Sequence, residues 1–126
     1  MFKFESEPER RSIDEERGIV VSGGDAGPPP YHMGFSYSDG DFEFHFGLDY
    51  PEPSGPTSQY MADEWGLSER VFERICTLFS GYRKTGRRPT SEEWQQVKQN
   101  IIAALTVWGR PVGGPRPQRV VRFVAD

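Results

Sequence analysis

Residues 31–48 constrain the fold more than any other segment, because bulky apolar residues alternate there with small or polar ones around Asp39 and Gly40. Alternation with a period of two is typical of a β-strand that has one buried face. Asp-Gly is a preferred two-residue hairpin turn, since both positions tolerate a positive φ. The segment therefore predicts a β-hairpin with a type I′ turn, in which Tyr37 pairs with Phe42.

This register sorts the hairpin side chains onto two faces. The apolar face consists of Met33, Phe35, Tyr37, Phe42, Phe44 and Phe46. The opposite face is polar and places His45 across from Gly34, with His32 on the diagonal. Together with Glu43, the two imidazoles could bind a divalent metal or carry out acid–base chemistry. The small residues on this face form no pocket, so no catalytic residue, metal or cofactor is assigned.

Two amphipathic helices are predicted in the second half of the chain. The first has Ser68 as its N-cap and Gly86 just past its end. Its apolar stripe consists of Val71, Phe72, Ile75, Leu78, Phe79 and Tyr82. The second begins with a capping box of Thr90 and Glu93. Its apolar stripe consists of Trp94, Val97, Ile101, Leu105 and Trp108. Because the connection is short, we expect an antiparallel helical hairpin.

The predicted fold class is α+β, an antiparallel sheet of about four to five strands with an antiparallel pair of helices packed on one face. This arrangement buries both helical stripes and the aromatic face of the hairpin together. Residues 118–125 are predicted as a central strand, and residues 18–22 and 2–5 as weaker strands. Gly- and Pro-rich loops are predicted at 23–30, 51–56 and 109–117.

The chain of 126 residues is predicted to be a single domain, 1–126, in which the charge-rich residues 5–17 are solvated or mobile. Its single cysteine, Cys76, excludes an intrachain disulfide. No run of 18 apolar residues and no signal-peptide pattern occurs in the sequence. We therefore expect a cytoplasmic protein that does not contact membranes.

The net charge of −4 conceals an asymmetry along the chain. Residues 1–65 carry 14 acidic and 4 basic residues, whereas residues 66–126 carry 5 acidic and 11 basic ones. Opposed patches of charge steer association, unless the fold interleaves the two halves. We predict an acidic face at the hairpin tip, formed by Asp39, Asp41 and Glu43. We predict a basic face at the turn between the helices, formed by Arg83, Lys84, Arg87 and Arg88.

Three functional hypotheses follow from these patterns. The first is a non-catalytic protein-binding module, such as a small bacterial immunity or antitoxin-like protein, with head-to-tail self-association as a variant. The second is nucleic-acid or phosphate-ligand binding, which the acidic first half of the chain opposes. In this second hypothesis the ligand binds to a C-terminal arginine cluster, which consists of the basic face together with Arg110, Arg116, Arg119 and Arg122. The third is a metal-dependent or acid–base enzyme on the polar hairpin face.

Overall fold

The structure is a computed structural model that describes residues 1–5, 7, 9–23, 31–50, 63–108 and 121–124. Its elements, in chain order, are β1 (Lys3–Glu5), β2 (Arg11–Asp14), β3 (Ile19–Gly23), β4 (Tyr31–Ser38), β5 (Phe42–Tyr50), β6 (Asp63–Gly66), α1 (Glu69–Ile75), β7 (Cys76–Arg83), α2 (Ser91–Thr106) and β8 (Val121–Val124). Neither of these helices is long and apolar enough to cross a bilayer.

Six strands form one antiparallel sheet in the order β1-β2-β3-β4-β5-β7. The α+β class is therefore confirmed, and the sheet has one strand more than the sequence predicts. The strand predicted at residues 118–125 is wrong in its position. Its described part, β8, pairs in parallel with β6 in a separate two-stranded sheet and contacts α2.

β4 and β5 form the predicted hairpin, but its turn is different. Tyr37 pairs with Phe44 rather than Phe42, and the backbone N–H of Asp39 donates to the Phe42 carbonyl at 3.1 Å. Gly40 and Asp41 thus lie at the tip, and Gly40 does not have a positive φ, so the type I′ turn is wrong. The partner of each β4 residue moves by two positions. Because this shift is even, each side chain keeps its predicted face.

The carboxylate of Asp39 explains the different turn. Its Oδ1 accepts hydrogen bonds from the backbone N–H groups of Asp41 and Phe42, each at 2.7 Å. Its Oδ2 accepts the hydroxyl hydrogen of the buried Tyr37 at 2.5 Å. An aspartate side chain that caps its own turn in this way replaces the left-handed glycine of a type I′ loop.

The first predicted helix is half as long as the sequence pattern suggests. Ser68 is its N-cap, as predicted, and its Oγ accepts the backbone N–H of Val71 at 3.1 Å. α1 ends at Ile75, however, and the chain continues directly as β7, which pairs with β5. The helical hairpin is therefore wrong, because a strand separates the two helices. The unpaired edge of β5 supplies backbone hydrogen bonds that outweigh the local helical pattern.

α2 begins at the predicted capping box. Thr90 Oγ1 accepts the Glu93 backbone N–H at 3.2 Å, and Glu93 Oε1 accepts the Thr90 backbone N–H at 2.9 Å. The helix covers the aromatic face of the sheet with the buried side chains Val97, Ile101, Ala104 and Leu105. Past its end, Trp108 is fully buried, with its ring 5.0 Å from Phe4 and 5.4 Å from Phe35 between centroids.

The N-terminal residues complete the sheet. The weaker strands predicted at 2–5 and 18–22 are confirmed as β1 and β3. The charges of residues 5–17 predict a solvated or mobile segment, but part of it forms β2, in which the side chains of Ser12 and Asp14 are buried. Both have partners, since Ser12 Oγ donates to the Ala104 carbonyl at 2.8 Å and Asp14 pairs with Arg17 at 2.7 Å. Apart from Gly23, which ends β3, the three predicted loops lie outside the described residues.

Candidate functional site

The structure brings the acidic face and the basic face together at one end of the sheet. Phe42 pairs with Arg83 in the β5–β7 ladder, and the Lys84 backbone N–H donates to the Asp41 carbonyl at 2.8 Å. The hairpin tip and the loop after β7 are therefore neighbours. The fold interleaves the acidic and basic halves of the chain here, so their separation along the sequence is not a separation in space.

Two of the four basic-face side chains are engaged within the fold. Arg83 and Arg87 both form ion pairs with Glu93, and the distance from Arg87 Nη2 to Glu93 Oε1 is 3.3 Å. The Arg83 guanidinium also lies over the Phe42 ring, 4.7 Å from its centroid. The Thr90 backbone N–H and the Arg83 guanidinium hold the pKa of Glu93 down to about 2. Within the described residues, the remaining Lys84 and Arg88 form no ion pair.

The acidic face is engaged in a similar way. Asp39 caps the hairpin turn, and Glu43 Oε2 accepts the hydroxyl hydrogen of Tyr82 at 2.6 Å. This hydrogen bond raises the pKa of Tyr82. Asp41 is the most exposed of the three acidic residues, at the tip. Most of the charge predicted for binding thus stabilises the end of the sheet.

The polar hairpin face carries a serine–histidine contact in place of the predicted arrangement. His45 lies across from Ser36 rather than Gly34, with 3.1 Å between Ser36 Oγ and His45 Nδ1. Among the described residues, no three metal-ligating side chains lie together. The backbone of His32 pairs with Asp49. The enzyme hypothesis therefore stays a prediction to which this geometry adds no support.

A groove of about 600 Å³ lies between β7 and the start of α2, and we call it the β7 groove. It is lined by Phe44, Leu78, Phe79, Ser80, Gly81, Tyr82, Arg88, Pro89, Thr90, Ser91 and Trp94. The buried Phe44 and the half-buried Trp94 form its base, with 5.2 Å between ring centroids. A Cβ atom at Gly81 would lie 2.5 Å from the Phe44 ring. The glycine therefore allows this ring to lie directly beneath the strand.

β7 presents apolar side chains at the edge of the sheet. Among the described residues, it pairs with β5 alone. Leu78 is 45% exposed and Phe79 is 59% exposed. The register shifts between His45 and Phe46, so Phe79 is the extra residue of a β-bulge. Bulges re-aim side chains and often occur beside functional sites.

The sequence patterns place these groove residues on the wrong element. Leu78, Phe79 and Tyr82 continue the apolar stripe of the first predicted helix, and this pattern predicts that they pack on the sheet. A competing signal was present, because Thr77 and two aromatic residues favour a strand, while Ser80 and Gly81 are weak helix formers. Weighting these residues over the period of 3.6 would have predicted an edge strand.

Comparisons of the chain with models of protein families, with curated proteins and with solved structures found no match. Function is therefore inferred from the geometry and chemistry of the site itself.

Proposed function

We propose that this protein is a non-catalytic protein-binding module that holds an extended segment of another protein in the β7 groove. One observation carries the proposal: the exposed side chains of Leu78 and Phe79 stand on an edge strand, beside a concave surface based on Phe44 and Trp94. Clustered exposed apolar side chains of this kind are typical of interaction sites. Addition of an extended peptide to a sheet edge is a recurring mode of peptide recognition.

The backbone of β7 supports this mode of binding. In an antiparallel pair, successive residues direct their N–H and C=O groups alternately toward and away from the neighbouring strand. Lys84 bonds to Asp41 at the end of β5, so Arg83 and Gly81 direct their groups away from β5. The Arg83 backbone N–H donates a hydrogen bond to the Arg87 carbonyl at 2.7 Å. The outward groups of Gly81 are therefore placed to pair with an added segment.

The β-bulge at Phe79 sets the length of that segment. A bulge interrupts the regular ladder and twists an edge, which disfavours pairing with a long flat strand. Regular edge backbone extends only from Ser80 to the point where Arg87 closes it. The site therefore suits a short extended segment whose apolar side chains pack on Leu78, Phe79 and Trp94.

The nucleic-acid hypothesis has weaker support. Arg83 and Arg87 share an ion pair with Glu93, which offsets part of their charge, and the acidic face adjoins the basic face. A nucleic-acid partner would make binding fall steeply with salt concentration, whereas a mixed protein interface responds mildly. The narrower immunity or antitoxin-like class stays a prediction.

Selection of a random 12-residue peptide library displayed on phage tests the proposal. We expect the enriched peptides to shift backbone NMR signals of β7 and of the first turn of α2. Replacing Leu78 and Phe79 together by serine should weaken binding by about thirtyfold or more, since the loss of even one central apolar anchor costs about 2 kcal/mol.

Thr77→Ala is the matched control, because Thr77 is an exposed residue of the same strand on its other face. It should leave the affinity unchanged, and both variants should keep the unfolding midpoint of the wild type to within a few degrees. Enriched peptides that bind the double-serine variant as tightly as the wild type would overturn the proposal.

A further inference from the structure

We infer that Arg88 selects the segment that the β7 groove accepts, by binding a carboxylate side chain of an extended, otherwise apolar peptide. This inference rests on the proposed function and names the chemistry of the groove's occupant. The occupant is a segment of a partner protein that carries an aspartate or glutamate at one fixed position.

Charge complementarity carries this inference. Of the described side chains that line the groove, Arg88 is the one that carries a charge; the others are apolar, aromatic or hydroxyl-bearing. Its side chain is exposed and forms no ion pair within the described part of the chain. A groove of apolar and hydroxyl-bearing side chains with a single cation favours an occupant that carries apolar side chains and a single anionic group. A guanidinium binds a carboxylate in a bidentate geometry that a lysine cannot reproduce.

The nearby Glu93 is not available to Arg88. Glu93 Oε1 accepts the Thr90 backbone N–H at 2.9 Å and lies 3.3 Å from Arg87 Nη2, while Oε2 pairs with Arg83. These three donors occupy most of the accepting positions of one carboxylate. The Glu93 carboxylate is thus occupied by the other two arginines of the loop and leaves Arg88 for a ligand.

The backbone of Arg88 is also held in place. The residue before a proline is restricted to extended conformations, and Pro89 follows it directly. Its carbonyl accepts a hydrogen bond from Arg87 Nη1 at 3.3 Å. Because Arg87 is anchored in turn by Glu93, the Cα of Arg88 keeps its position at the end of the groove. A side chain on a backbone held in this way loses less freedom on binding than one on a free loop.

Parallel selections of the phage-displayed library on the wild type and on Arg88→Gln test this inference. With the wild type, we expect a motif of apolar positions and one fixed acidic position. With Arg88→Gln, the apolar positions should remain while the acidic position falls to the background frequency of the library. A synthetic peptide with the motif selected on the wild-type protein is compared with a counterpart in which the fixed acidic residue is replaced by asparagine or glutamine. The acidic peptide should bind the wild-type protein at least tenfold more tightly, and this ratio of affinities should fall to about one with Arg88→Gln.

Lys84→Gln is the matched control, because Lys84 is an exposed cation of the same loop that does not line the groove. It should preserve the tenfold ratio. An equal loss of the ratio in Lys84→Gln would show general electrostatic attraction and overturn the role of Arg88.

The remaining outcomes separate the two proposals. A motif that contains apolar positions alone, and that requires Leu78 and Phe79, would overturn the selection by Arg88 while leaving the binding module intact. If no peptide depends on Leu78 and Phe79, the proposed function fails, and the role of Arg88 fails with it.

Discussion

Replacing Asp39 by alanine is expected to lower the free energy of unfolding by about 2 to 3 kcal/mol, because one side chain closes the hairpin turn. Asp39 accepts three hydrogen bonds, from the backbone of Asp41 and Phe42 and from the Tyr37 hydroxyl. A typical protein hydrogen bond contributes about 1 kcal/mol net. The Asn100 amide still donates to the Tyr37 oxygen at 3.2 Å, but the buried hydroxyl hydrogen loses its acceptor, which puts the loss at the upper end of this range.

Two further variants separate this turn from the type I′ turn that the sequence pattern favours. Asp39→Asn retains an oxygen for the two backbone N–H groups and should cost about half as much. Gly40→Ala should change stability by less than about 0.5 kcal/mol, because Gly40 lacks a positive φ and no atom lies within 4 Å of an added Cβ. In a type I′ turn the order would be reversed, since an L-residue at that position is strained.

Urea unfolding at pH 7, followed by tryptophan fluorescence, measures all three variants on one scale. The urea concentration at the unfolding midpoint should be highest for Gly40→Ala, lower for Asp39→Asn and lowest for Asp39→Ala. The slope of the unfolding free energy against urea concentration should be the same for all three variants. If Gly40→Ala proves more costly than Asp39→Ala, the side-chain-capped turn and the β4–β5 register built on it are wrong.

Three further expectations concern the core and the start of α2. Trp108→Ala should cost about 3 to 5 kcal/mol in urea unfolding, and Trp94→Ala clearly less, because the first side chain is fully buried and the second half-buried; of these two tryptophans, iodide should quench Trp94 and not Trp108. Gly81→Ala should cost about 1 to 3 kcal/mol, because its methyl group meets an aromatic ring at 2.5 Å, while Gly34→Ala, with no atom within 4 Å, should be tolerated. Glu93 has its pKa lowered from 4.5 to about 2, so its stabilisation is complete above about pH 4.5 and is lost as the pH falls toward 2; unfolding measured across this range should depend less on pH in Glu93→Gln.

The faces of the β4–β5 hairpin could be predicted from the sequence, whereas its pairing could not. The face of a side chain depends on parity along the strand, which survives a shift by two residues. The pairing depends on the turn, where the Asp39 carboxylate competes with the backbone preference of Gly40. The sequence shows that Asp39 can cap a turn, but it does not show whether this cap stabilises the hairpin more than a type I′ turn with Gly40 at a positive φ. The start of α2 was predictable for the opposite reason, since Thr90 and Glu93 specify it locally.

The β7 groove could not be predicted, because it exists only if residues 76–83 form a strand. Val71, Phe72 and Ile75 continue into Leu78 and Phe79 with helical spacing, and local propensity decides weakly between the two structures. The deciding contribution is the free edge of β5, which lies more than twenty residues earlier in the chain. The acidic and basic clusters are visible in the sequence as local runs of charge, but their adjacency in space depends on the same strand.

The covering of the hairpin by α2 has a consequence for synthesis of the chain on the ribosome. β4 and β5 are complete at residue 50, whereas α2 begins at residue 91. At about 5 to 20 residues per second, the intervening residues take about 2 to 8 s to translate. During that interval α2 is absent from the aromatic face of the hairpin, and α1 alone can contact part of it, through Phe72 and Phe46. The nascent chain therefore exposes apolar surface for seconds, and during that time it is prone to associate with other unfolded chains.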